Sequence, residues 1–195
     1  MRIELLDPEQ DRGQIKGGVF VSRLAFLRDE GGEALVEKIL STLPAEDQRL
    51  LADIILASAW YPFATNERLD LAISKELGGG DQLFRQLGQR SAQHNLGTTH
   101  RNYVRDRDTH GLLRQAASIY RLYYDTGSRT YEKLGPTKAI LRTVGSKSFS
   151  RADCLTVVGW HEKAIEMCGG HDPHVSEVHC RARGDELCEY VCEWK

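Results

Sequence analysis

Apolar residues recur at helical spacing through the first two thirds of the chain and at strand-like spacing near its end. Between residues 19 and 43 they fall at Phe20, Leu24, Leu27, Leu35, Ile39 and Leu43, with Gly31-Gly32 between, which predicts two successive helices. Pro44 followed by Ala-Glu-Asp opens a further helix through Leu51, extending toward Ile55, because acidic groups suit the positive helix N-terminus. The stretch 58–63, with Trp60, Tyr61 and Phe63 around Pro62, reads as an extended aromatic elbow. Leu69, Ile73 and Leu77 predict a helix over 66–77 closed by three glycines, and Asp81 can cap the next, which carries Leu83, Phe84, Leu87 and Ala92. A last helix of this part, capped by Asp108 or Thr109, places Leu112, Ala116, Ile119 and Tyr123 on one stripe.

Near Tyr124 the pattern changes. Gly127, Gly135-Pro136 and Gly145 punctuate short segments rich in Thr, Tyr, Ile and Val, so 129–134 and 138–144 read as antiparallel strands. Ser150 caps a helix over 151–167 that Gly169-Gly170 closes, and strands over 175–182 and 187–194 flank a turn at 183–186, where Arg183-Gly-Asp is turn chemistry. The fold class expected is α+β, with N-terminal helices packed on an antiparallel sheet of about four strands. The expected organisation is a single domain of 195 residues, mainly helical over 1–105 and α+β over 106–195.

Composition narrows the classes of partner. Twenty-six basic residues against 28 acidic ones give a formal charge of −2, so no general attraction to nucleic acid or anionic lipid is expected. Residues 1–8 lack a signal-like apolar stretch and no 18-residue apolar run occurs, which predicts a cytoplasmic protein without a membrane span. Five cysteines, all between Cys154 and Cys192, are expected to be free or metal-bound in a reducing compartment.

The cysteine positions carry the chemistry. In a hairpin centred on Gly184, Cys180 and Cys188 face each other with Cβ atoms roughly 5 Å apart and can share one metal. Cys192 has the same parity but lies roughly 13 Å further along the strand, out of reach of that ion. Cys154 and Cys168, about 21 Å apart along one helix, cannot both join the site. Strict alternation puts Glu177 on the opposite face from Cys180, so it becomes a ligand only if a bulge or strand end intervenes. Spacing alone leaves the fourth ligand open among Glu177, His174 and His179, and simple core packing of the cysteines remains the competing account.

Cys154 with Gly159 and Trp160 after it, then Glu177-x2-Cys180-x3-Gly184-x3-Cys188, resembles the 4-vinyl reductase domain. That domain occurs in bacteriochlorophyll biosynthesis proteins and in the sensor part of phenol-responsive transcription activators. The resemblance covers residues 105–195 and implies a structural Zn2+ held by Cys154, Glu177, Cys180 and Cys188. The phrases Val19-Phe-Val-Ser-Arg-Leu-Ala-Phe-Leu27, Ser58-Ala-Trp-Tyr-Pro62, Arg121-Leu-Tyr-Tyr-Asp-Thr-Gly127 and Leu155-Thr-Val-Val-Gly-Trp-His161 look like a paralogous myxobacterial family of unknown function. The wider superfamily, with its haem nitric oxide sensors and vesicle-tethering subunits, implies helices packed on an antiparallel sheet.

The function expected is therefore a non-enzymatic sensory or ligand-binding module, with zinc clamping the helix over 151–167 onto the terminal hairpin. Its candidate pocket residues are Trp60, Tyr61, Phe63, Tyr103, Tyr120, Tyr123, Tyr124 and Trp160, with core packing as the alternative use of these aromatics. Expected partners are a second copy in a homodimer and a small hydrophobic ligand or a protein. A haem gas sensor would take an axial nitrogen from His94, His100 or His110. The text Tyr124-Asp-Thr-Gly-Ser-Arg129 misses the spacing of the family's Tyr-x-Ser-x-Arg motif, so haem is not expected. A scaffold subunit acting through the helical face is a further reading. An enzyme, either a reductase or a thiol chemistry at Cys168 or Cys192, is the last, since no phosphate loop, nucleophile elbow or paired-carboxylate signature is present.

Overall fold

The computed structural model describes residues 12–195, apart from the side chain of Ala117; the lead-in at residues 1–8 lies outside this range. Strand β1 (Gln14–Lys16) leads into helix α1 (Gly17–Leu40), which kinks where the two-helix reading placed a break: Gly32 sits at φ 68°, a conformation that glycine adopts without a Cβ clash. Helix α2 (Ala45–Ala52) starts after Pro44 and carries Glu46 and Asp47 in its first turn. The aromatic elbow is strand β2 (Trp60–Pro62), and it pairs antiparallel with β1. Helices α3 (Phe63–Leu77) and α4 (Gly80–Gly97) follow, then a short 3-10 turn at Arg101–Tyr103.

The stripe predicted as one helix over 112–123 is two: α5 (Thr109–Arg114), with the Asp108 side chain accepting from the Gly111 N–H, and α6 (Ala116–Tyr123), with Gln115 between them. Next come β3 (Ser128–Gly135), β4 (Lys138–Val144), α7 (Arg151–Met167), β5 (His174–His179) and β6 (Cys188–Glu193). Ser150 caps α7 by accepting from the Asp153 N–H at 3.1 Å.

The fold is mixed, helices with antiparallel sheet, and it has two sheets rather than one. A two-stranded β1-β2 ribbon stands beside a four-stranded sheet in the order β3-β4-β6-β5. Three-residue strands are too short for an alternation pattern to show, which is why the ribbon was not predicted. In the larger sheet, β4 and β6 bury alternate residues, and Ala139, Leu141, Tyr190 and Cys192 on that face pack with Cys154, Val157, Val158 and Ile165 of α7. Burying each of the larger aliphatic side chains contributes about 1.5–3 kcal/mol.

Helix α4 lies across α7 in backbone contact. A Cβ on Gly88 would sit 2.0 Å from the Thr156 carbonyl oxygen, and one on Gly159 would sit 2.0 Å from that of Arg85. Only glycine at both positions permits this approach. A buried ion pair ties the layers together: Arg23 of α1 donates from Nε to Asp70 Oδ1 of α3 at 2.8 Å and from Nη2 to Thr156 Oγ1 of α7 at 3.2 Å. Asn66 Nδ2 also donates to Asp70, at 3.3 Å.

Candidate functional site

Helix α7 presents two separate groups of polar side chains, one at its start and one along its middle. At the start, Cys154 meets Glu177, Cys180 and Cys188, and one potential ligand atom from each of the four lies within 4.8 Å of all the others. Cys154 Sγ is 3.8 Å from Cys188 Sγ. The hairpin register explains how Glu177 joins them. Glu177 pairs with Tyr190 while His179 pairs with Glu189, so one extra residue, Val178, bulges out of β5 and is exposed. The bulge turns Glu177 onto the face that Cys180 occupies, which an unbroken strand would forbid. His174 and His179 are exposed and lie outside the group.

The turn after β5 holds the cysteines in place. Asp185 Oδ2 accepts from the Cys180 N–H at 2.7 Å, and the Arg181 N–H points to Cys188 Sγ at 3.4 Å. Arg151 donates to Glu177 Oε2 at 3.0 Å and to Asp81 at 2.7 Å, leaving Glu177 Oε1 buried without a partner. An outer contact of this kind orients a carboxylate for a metal.

The electrostatics suit a cation. The Cys154 thiol, bonded to its neighbours, pulls the Cys180 pKa down to about 6 and that of Cys188 to about 7, while the Cys154 pKa itself is pushed upward. Burial, with Cys180 beside it, raises Glu177 to about 7. Three sulfurs, two of them with lowered pKa, and an orphaned carboxylate oxygen form a donor set of the type that holds tetrahedral zinc. The remaining cysteines lie apart. Cys192 is buried in the sheet opposite Val175 and Ala139, and Cys168 ends α7 in a different part of the core.

Two turns along α7 from Cys154, a cavity of about 60 Å³ opens between α1, α4, α6, α7 and β3. Four of the eight candidate aromatics line it: Tyr120, Tyr123, Tyr124 and Trp160. The other four do not. Trp60 packs under Lys16 Nζ, 3.7 Å from its ring centroid, Tyr61 packs tilted against Phe20, Phe63 is core, and Tyr103 leans on His100. The ribbon and the first core absorb the elbow aromatics, so they never reach the cavity.

The polar side of the cavity was not legible as a site. Arg23, Arg129, Asp153 and His161 all line it. After its bonds to Asp70 and Thr156, Arg23 retains an unpartnered buried Nη1, and both ring nitrogens of the buried His161 lack partners. Burial, helped by the charge of Arg129, pushes the His161 pKa down to about 3 against a weak pull from the Val157 carbonyl, so the ring is neutral. Arg129 donates to Thr143 Oγ1 at 2.9 Å, its guanidinium 4.9 Å from the Tyr120 ring centroid. Burial raises Asp153 to about 7 although its Oδ1 accepts from Tyr124 Oη at 2.8 Å.

Of the histidines weighed as axial ligands, none lines this cavity. His94 sits in an outer groove, His100 bonds Tyr123 Oη at 3.0 Å, and His110 uses both nitrogens, on Pro136 O and Tyr131 Oη. The signal for His161 was its place on the stripe of Cys154, Val158, Ile165 and Cys168, which reads equally as core.

No family model matches the sequence, and no curated protein matches it, so the expected membership of a myxobacterial family finds no support. Solved structures do match. An H-NOX protein from S. oneidensis in the Fe(II)NO ligation state superposes with a TM-score of 0.72 at 14% identity, covering 92% of this chain and 99% of that one. An Fe(II) unliganded H-NOX protein mutant from K. algicida gives 0.71 at 14% identity, covering 92% and 96%. A structure described as probing the function of heme distortion in the H-NOX family gives 0.71 at 15%, covering 92% and 95%. The chain therefore has the H-NOX fold over nearly its whole described length. Heme is named in the last of these descriptions, for that family, and the likeness to all three shows the fold. Among the described residues no helix is long and apolar enough to cross a membrane.

Proposed function

We propose that this chain is a sensory module, in which the cavity beside α7 receives a small molecule and Cys154, Glu177, Cys180 and Cys188 hold a structural zinc ion. The observation that carries the sensory reading is the cavity's buried wall of unpartnered Arg23 and His161 nitrogens. Such groups are rare in a core unless something meets them, and each costs about 1–3 kcal/mol if nothing does. The H-NOX fold supports the same reading. Zinc with four protein ligands has no open position for water, so it would fasten α7 to the β5-β6 turn without reacting. In solution the module is read as a homodimer, which sedimentation of a 22.0 kDa monomer alone would contradict.

Metal analysis of protein prepared without chelators tests the zinc. One equivalent per chain supports the site, and none refutes it. Saturable quenching of Trp160 fluorescence by small molecules tests the cavity, and its absence across a broad set refutes the ligand chamber.

Haem binding is the second reading, favoured by the likeness to haem-containing H-NOX structures and by the neutral imidazole of His161 on the cavity wall. As it stands the cavity does not fit a tetrapyrrole: about 60 Å³ is well below the roughly 300–1,000 Å³ of ordinary ligand pockets. Haem would require Trp160 and the tyrosine walls to move apart. A Soret band in the purified or hemin-titrated protein, lost in His161→Ala, would establish this reading, and a colourless protein that leaves hemin unshifted would exclude it.

A further inference from the structure

The chemistry of the cavity wall narrows the class of ligand. Its free hydrogen-bonding groups are mostly donors. Arg23 is buried, with Nε and Nη2 committed to Asp70 and Thr156, and Nη1 is the nitrogen it has left to offer. His161 is buried and neutral, so its two unpartnered ring nitrogens offer one donor and one acceptor. Arg129 contributes a second guanidinium, which has no ion-pair partner among the described residues and is bonded through Nε to Thr143. Asp153 also lines the cavity: its Oδ1 accepts from Tyr124 Oη, and among the described residues it interacts with Arg23 and Arg129 through space without an ion-pair contact to either. Ser91 and Asn95 of α4 complete the polar wall and bond to each other at 3.2 Å.

Between these groups the lining is apolar at Val19, Ala116, Ile119 and Val157. A volume of about 60 Å³ accepts roughly four to six water-sized groups at about 10–15 Å³ each. The occupant must therefore be small, with acceptors for the unpartnered nitrogens and an apolar part for the remaining wall. A carboxylate is the smallest group that meets a guanidinium with two acceptors, and such charge-assisted bonds are about twice as strong as neutral ones.

We propose that the cavity binds a short-chain carboxylate, of the size of acetate to butyrate, with its carboxylate against Arg23, Arg129 and His161 and its alkyl end against Val19, Ile119 and Val157. This rests on the reading of the cavity as a ligand chamber and specifies what that chamber selects. The selectivity follows from geometry: a neutral amide of the same shape brings donors of its own to a wall that already has donors in excess. A longer or bulkier acid would have to displace Trp160 or Tyr123.

The test is calorimetric titration of the zinc-loaded full chain, at constant ionic strength, with propionate, propionamide and 1-propanol, in parallel with tryptophan fluorescence. Propionate is expected to bind saturably and at least about tenfold more tightly than propionamide, the ratio that one hydrogen bond to a charged group supplies. Arg129→Gln and His161→Phe are each expected to weaken propionate about tenfold, and 1-propanol by less. Arg23→Lys retains a charge for Asp70 and is expected to weaken propionate as well. If Arg23→Lys does not fold, the Arg129 and His161 variants still decide the question.

If propionamide or 1-propanol binds as tightly as propionate, the chamber stands and the carboxylate assignment falls. If propionate binds equally well in the Arg129 and His161 variants, the anion sits elsewhere and the assignment is overturned. If none of the three binds, the ligand chamber itself is refuted.

Discussion

The two polar groups on α7 differ in how their side chains are satisfied. At the helix start, Cys154, Glu177, Cys180 and Cys188 converge on one point, and neighbours hold three of the four: Arg151 on Glu177, Asp185 on the Cys180 N–H, and the Arg181 N–H on Cys188. Two turns later, Arg23, Arg129 and His161 face a space from separate elements and keep bonding capacity unused. A convergent set with a braced second layer suits a permanent ion. A divergent set around a cavity suits an occupant that comes and goes. One helix carries both, with Cys154 in the first group and His161 in the second.

Removing a ligand from the convergent site should have the largest effect. Cys180→Ala or Cys188→Ala is expected to abolish zinc binding. A metal present at a thousandfold excess over its Kd stabilises the native state by about 4 kcal/mol, so the melting temperature should fall by about 8–16 °C. Elemental analysis with thermal melts checks both. An unchanged melting temperature with zinc lost would show that the cluster does not fasten the fold.

Gly159→Ala separates the two regions. Its Cβ would meet the Arg85 carbonyl at 2.0 Å and force α4 away from α7, at a cost of about 1–3 kcal/mol. Ligand titrations should change while zinc content stays at one per chain, because the crowding falls on the cavity side. Loss of zinc in this variant would mean that the two sites are a single unit.

The pH dependence of stability should come partly from His161. Its folded pKa, about 3, lies below the ordinary 6.5, so between those values the unfolded chain binds the proton and the folded chain does not. The stability contributed by the neutral ring is fully present above about pH 6.5 and is lost as pH falls toward 3, at up to about 1.4 kcal/mol per pH unit. His161→Phe should flatten this slope in denaturant titrations at several pH values. An unchanged slope would place the imidazole in contact with solvent.

The smallest effect is expected from Cys192→Ala. It removes a buried sulfur from the sheet face, at a cost of about 1 kcal/mol, and leaves zinc content unchanged.

Much of the C-terminal part was legible because its signals are local. Ser150 and Gly169 bound α7, and parity about Gly184 places Cys180 opposite Cys188. The bulge at Val178 that turns Glu177 inward was not legible, since no glycine or proline marks it, and that ligand rested on resemblance alone. The β1-β2 ribbon escaped because three residues carry no period. The cavity was half visible through its aromatics. Its polar half was hidden, because Arg23 within an apolar helix reads as a surface interruption and His161 on a helix stripe reads as core. Only the tertiary packing of α1, α3 and α7 shows that Arg23 is paired with Asp70 and still has a donor left over.

Native mass spectrometry of the chain, purified without chelators, tests the central claim most directly. The account predicts the mass of the polypeptide plus one zinc ion, with the zinc absent from Cys188→Ala and retained in Cys192→Ala. A wild-type mass that matches the bare polypeptide would contradict it.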